Sequence, residues 1–203
     1  LIELNLQGSS TKVNNGGLIL NREALTIQYS RLTGGNANNG GAIYNAGVLS
    51  DTQKTVGTVA ISNSILQNNK ADQGAALYTD MPYYRITQSV IRDNTITTKN
   101  GSLLYTNIGF KDPTIGVNIL YNGASGLRNS TIFNNTGGYV ANIREGMVLN
   151  NVTMIRNDAG LYLEAPKWIV TTTTTGENDA KKEANTDLVS ASISNSIIVG
   201  NGE

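Results

Sequence analysis

The sequence predicts an all-β fold, a right-handed parallel β-helix of about six to seven rungs with loop excursions, in a single domain over residues 1–203. Three observations predict it: a nonapeptide that recurs along the chain, a second short block that recurs beside it, and the distances between copies.

The nonapeptide reads "IQYSRLTGG" at 27–35, "ISNSILQNN" at 61–69, "ITQSVIRDN" at 86–94, "LRNSTIFNN" at 127–135, "LNNVTMIRN" at 149–157 and "ISNSIIVGN" at 193–201. Its pattern is aliphatic-x-x-Ser-x-aliphatic-x-x-Asn. Ile27, Ile61, Ile86, Leu127, Leu149 and Ile193 form a first apolar column, and Leu32, Leu66, Ile91, Ile132, Met154 and Ile198 form a second. The inward positions are expected at one, four, six and nine of each copy. Only four and six keep the two-residue period of a strand, so the chain must bend in the two intervals of three to keep one side indoors. No helical stripe runs through copies so rich in β-branched residues and Asn.

The second block reads "GGLILN" at 16–21, "GGAIYN" at 40–45, "GAALYT" at 74–79 and "SLLYTN" at 102–107. It aligns Ile19, Ile43, Leu77 and Leu104 in one column and Tyr44, Tyr78 and Tyr105 in the next. Neighbours on a strand face opposite ways, so an inward aliphatic column implies an outward tyrosine column.

Copies of the nonapeptide start 34, 25, 41, 22 and 44 residues apart. The shortest spacing suits one turn of three short strands and three corners; a left-handed coil of hexapeptides would need turns of about 18. The longer spacings then carry excursions, at 46–58, 106–125 and 164–188, the last holding Thr171–Thr175 and expected to be a flexible loop.

Position nine places Asn69, Asn94, Asn135, Asn157 and Asn201 at a corner. Stacked asparagines can pass amide hydrogen bonds from copy to copy, and Asn tolerates the left-handed backbone of a corner. The tyrosine column admits two readings: rings that pack on one another, or a platform on which sugar rings lie flat.

Composition removes much enzyme chemistry. The chain has no Cys and no His, hence no disulfide, no thiolate or imidazole metal ligand and no histidine base, and neither metal nor cofactor is expected. Fifteen basic residues balance fifteen acidic ones, which gives no field to attract nucleic acid. No apolar run reaches the roughly 18 residues of a membrane span. Asp72, Asp80, Asp93 and Asp158 are scattered rather than paired, and the copy with Asn134 separates Asp93 from Arg156, so no catalytic residues are assigned. N-x-Ser/Thr acceptors stand at Asn100, Asn129, Asn134 and Asn151, and the threonine tract is a loose O-linked candidate.

"GGAI" at 40–43, with "LQNN" at 66–69 and "IRDN" at 91–94, resembles the repeats of polymorphic outer membrane proteins and related autotransporter adhesins. Here Leu, Ile or Met stands where those repeats usually carry Phe. The resemblance implies a secreted protein, extracellular or on the cell surface, used for adhesion or as a stalk. The expected function is thus a non-enzymatic scaffold, adhesin or filament subunit, and the alternative is a β-helix that binds or cleaves polysaccharide. Its expected partners are further copies of itself stacked end to end, or host or surface glycans. No amphipathic cap is evident, so the domain is expected to be a segment of a longer chain or a stacking subunit.

Overall fold

The computed structural model describes residues 1–49, 54–55, 57–80, 83–107, 125–143, 147–163 and 191–202. They form an all-β structure without helices, in which parallel strands lie in stacked sheets of eleven, four and six strands. An antiparallel pair, Val48–Leu49 with Lys54–Thr55, lies in the first excursion. The excursion at 164–188, the Thr171–Thr175 tract and most of 106–125 fall outside the described residues.

Register follows the sequence columns. Ile27, Ile61, Ile86, Leu127, Leu149 and Ile193 are successive Cα partners across the large sheet. The second column pairs Leu32, Leu66, Ile91, Ile132, Met154 and Ile198, with Leu6 in front. Leu6 identifies a further copy, "LIELNLQGS" at 1–9, which the pattern alone does not reveal because Leu4 replaces the Ser of position four. The third column runs Ile19, Ile43, Leu77 and Leu104 as aligned, then continues through Ala141 and Leu161. A third side, with Val13, Ala37, Ala71 and Ile96 in register, closes the section with small residues.

These columns are the core. Ile27, Leu32, Ile86, Ile91, Leu127, Ile132, Leu149 and Met154 are fully buried, each worth about 1.5–3 kcal/mol relative to exposure. At the two ends the columns lie open: Leu1 is 47% and Ile193 48% exposed.

The bends have one cause. Position three of every copy is left-handed, at Glu3, Tyr29, Asn63, Gln88, Asn129, Asn151 and Asn195, with φ of 48–55°. Position eight is left-handed at Gly34, Asn68, Asp93, Asn134, Arg156 and Gly200. Each falls inside one of the two three-residue intervals, so the parity slip is a single residue of inverted φ. This corrects one expectation: the ladder asparagines at position nine are not themselves the left-handed residues, and the residue before each of them carries the turn.

The conserved spacing of Ser at position four follows from the first of these bends. The backbone N–H groups of Ser30, Ser64 and Ser89 donate to the Oγ of Ser64, Ser89 and Ser130 in the next copy, at 3.0–3.2 Å. Each hydroxyl in turn donates to the carbonyl two residues earlier in its own copy, at 2.7–2.8 Å. Buried backbone donors left pointing along the axis are thereby satisfied. Val152 replaces this serine in one copy, and its own N–H donates to Ser196 Oγ at 3.0 Å.

Candidate functional site: corner ladders and outer columns

The second bend carries the asparagine ladder. Nδ2 of Asn69, Asn94, Asn135 and Asn157 donates to Oδ1 of Asn94, Asn135, Asn157 and Asn201, at 2.8–3.0 Å. The same acceptors take the backbone N–H of the preceding asparagine, at 2.9–3.2 Å. Nδ2 also reaches a backbone carbonyl, Leu66 for Asn94 and Ile91 for Asn135. Asn69, Asn94, Asn135 and Asn157 are buried to 3% exposure or less. Asparagine alone among neutral side chains supplies both the acceptor and the two donors at this reach. The ladder stops at Gly35, whose N–H donates to Asn69 Oδ1 at 2.9 Å.

A second buried polar column was not evident in the sequence. Asn21 donates to Asn45 Oδ1 at 2.7 Å, and Asn45 donates to Thr79 Oγ1 at 3.0 Å. Asn45 also donates to the Gly57 carbonyl at 2.9 Å, which ties the return of the first excursion to the coil.

Tyr44, Tyr78 and Tyr105 stand in register on the outer side of their sheet. Their rings stack with centroids 4.8 and 5.0 Å apart, at interplanar angles of 8° and 19°. The middle ring is outward yet buried, because Tyr44 and Tyr105 cover both of its faces. Neighbouring rings thus occupy both faces of Tyr78, while Tyr44 and Tyr105 are half-buried. Tyr44 donates its hydroxyl to Asp80 Oδ2 at 2.6 Å, and Asn107 donates to Asp80 Oδ1 at 3.1 Å. Burial, then the hydrogen bond to the Asp80 carboxylate, raises the Tyr44 hydroxyl above the ordinary phenol value.

The scattered carboxylates each have local partners. Asp93 accepts from Arg92 at 2.9 Å and from Asn134 at 2.6 Å, and Asp158 accepts from the Gly137 N–H at 2.7 Å. Asp72 accepts from Lys12 at 2.9 Å and from the Thr97 hydroxyl. Among the described residues, no group of three or more acidic side chains is gathered as a metal site would require.

The Thr97 hydrogen bond, then the Lys12 ammonium, holds the Asp72 carboxyl below the usual aspartate range. A depressed folded pKa contributes stability that is present above the unfolded value, near 4, and lost as pH falls through the folded one. Asp72→Asn is therefore expected to flatten the acid limb of a stability–pH profile below about pH 4. Because the pair is partly exposed, the change should stay within about 1 kcal/mol. Urea midpoints measured from pH 5 to pH 2 check this; an unchanged acid limb contradicts it.

The four glycosylation acceptors are all exposed. Asn151 donates its side-chain amide to Asn129 Oδ1 at 2.9 Å, and Asn134 donates its own to Asp93. Asn129 and Asn151 share an outward corner column, as their common place in the repeat implies.

A cleft of about 450 Å³ opens on the outer face of the large sheet, lined by Thr58, Val59, Ala60, Tyr83, Tyr84, Arg85 and Arg128. None of these residues stands out in the repeat, because they come from three different turns.

No protein-family model matches the chain, and searches of curated proteins and of solved structures return no match.

Proposed function

We propose that this chain is a non-enzymatic scaffold: a right-handed parallel β-helix of about six to seven rungs, displayed outside the cell or on its surface, where it serves in adhesion or as a stalk or filament subunit. The observation that carries this reading is the unbroken asparagine ladder, which joins Asn69 to Asn201 through every intervening copy. Such a ladder stiffens a rod and does no chemistry. The engagement of Asp72, Asp80, Asp93 and Asp158 by local donors also favours a scaffold over a polysaccharide-cleaving enzyme.

Right-handedness rests on connection geometry. A strand that leaves a sheet and returns to it in parallel does so with a right-handed crossover in about 98% of cases. The surface location rests on the resemblance of the "GGAI" and aliphatic-x-x-Asn repeats to those of exported β-helical proteins.

The partner proposed for the ends is a second copy. Among the described residues, the outermost strands, Asn5–Gln7 and Ile197–Val199, are paired on one side, and Ile2 and Ile197 are 60% and 57% exposed. Unpaired strand edges with apolar residues beside them are templates for further strands. Successive rungs lie about 4.8 Å apart, so one copy should span roughly 30 Å along the axis. Electron microscopy of purified protein is expected to show rods, in multiples of that length as concentration rises. Compact, equidimensional particles would overturn the scaffold reading. Monodisperse monomers at high concentration would overturn the stacking.

A further inference from the structure

We propose that the cleft around Arg85 and Arg128 binds the carboxylate or sulfate groups of an acidic saccharide. This goes beyond the scaffold reading and does not depend on it, since a stalk, a filament subunit or a lone domain would carry the same cleft.

Register creates the site. Arg85 lies between Ala60 on one neighbouring strand and Gly126 on the other. Both neighbours lack a long side chain, so the guanidinium rises from a low floor. Gly126 is fixed by the backbone: its φ is +146°, and a Cβ there would collide with the Val148 carbonyl. Arg128 follows Gly126 by two residues, hence on the same outer face, and Tyr83 precedes Arg85 by two. Two cations from adjacent strands thus converge beside an aromatic side chain and the Thr58 hydroxyl.

Charge points to an anion. The strands Ala24–Gln28, Thr58–Ser62, Tyr84–Thr87 and Ala191–Ser194, with 126–130 and 147–150, contain both arginines and no acidic residue. Arg85 and Arg128 are exposed and form no ion pair among the described residues, in contrast to Arg92 and Lys12. Arg128 stands opposite Thr87, on the diagonal from Arg85 and within reach of a long side chain, and an anion bridging the two guanidinium groups offsets their mutual repulsion. Guanidinium forks match carboxylate and sulfate oxygens through paired hydrogen bonds.

The remaining lining selects a sugar. A volume of about 450 Å³ lies within the range of roughly 300–1,000 Å³ typical of small-ligand sites. Hydroxyl and aromatic groups beside the arginines suit the hydroxyls and the apolar face of a pyranose ring. Nucleic acid is disfavoured, since its affinity grows with the number of phosphates neutralised and the chain as a whole has no net charge.

The test is isothermal titration of the intact protein with four probes: a galacturonate trisaccharide, a sulfated heparin-derived tetrasaccharide, neutral cellotriose and a glutamate-rich peptide. One or both acidic saccharides are expected to bind, more weakly at higher salt, and the neutral sugar is not. Carboxylate and sulfate preference is read from the first two. Arg85→Gln and Arg128→Gln are each expected to raise Kd at least tenfold without changing the melting temperature. Arg31→Gln, an exposed arginine on another part of the same sheet, should leave Kd unchanged. Failure of both acidic saccharides to bind, equal loss in the Arg31 variant, or equal binding of the peptide would overturn the proposal. Rods in the microscope combined with any of these results would leave the scaffold intact and remove the site.

Discussion

Asn135→Leu is expected to destabilise the protein by about 3–5 kcal/mol. Asn135 Oδ1 accepts from both the N–H and Nδ2 of Asn94, and its own Nδ2 donates to Asn157, Ile91 and Phe133. Leucine fills a similar volume but leaves the buried Asn94 N–H without this acceptor, and an orphaned buried donor costs about 1–3 kcal/mol before the other lost bonds are counted. Chemical denaturation measures the loss, and an unchanged midpoint would show that the ladder is incidental. Asn135→Asp separates the two functions of the amide. It keeps the acceptor for Asn94 but turns a carboxylate toward the Asn157 Oδ1 and two carbonyls. Burial and those oxygens favour the neutral form, so the folded state binds the proton more tightly than the unfolded chain does. This variant should lose stability as pH rises and regain it as pH falls, the opposite of the Asp72 contribution.

Ile86→Ala carries the second large effect. Ile86 is fully buried between Ile61 and Leu127 in the first column, and truncating such a residue costs about 2–5 kcal/mol, according to how far the neighbours collapse. The same truncation of Ile193, already 48% exposed at the end of that column, should cost under about 1 kcal/mol. Stacked repeats touch only their neighbours, so amide exchange should quicken in Thr58–Ser62 and in the paired part of Gly126–Phe133 and fade with distance. Equal losses at the two isoleucines, or exchange raised uniformly along the chain, would contradict a stacked column.

Three columns of the core were legible because each places a bulky aliphatic at a fixed point of a repeated phrase, and parallel pairing brings equivalent points together. Other parts were harder to read for physical reasons. The side built on Val13, Ala37, Ala71 and Ile96 is inconspicuous because alanine is unremarkable in any segment. The copy at 1–9 hid because Leu4 and Ser9 depart from the pattern at two of its four marked positions. Ser30 and its counterparts were visible, but their use was not: a left-handed residue had to turn an N–H along the axis before a hydroxyl was needed there. The asparagine ladder was readable from composition and spacing together. The convergence of Arg85 and Arg128 was not, since residues so far apart in sequence become neighbours only once the register is known.

The buried ladders share an orientation. Every Asn69-to-Asn201 step donates from the earlier copy to the later one, and the serine steps do the same. A backbone N–H approaching each asparagine side chain can meet only its oxygen, which fixes each amide's orientation. Aligned amides add their dipoles, so the body has an electrical north and south. Two such bodies meeting nose to nose would set like poles together, whereas nose to tail opposite poles meet. Any fibre built from them should be a one-way street, with two tips that differ in chemistry and in growth rate.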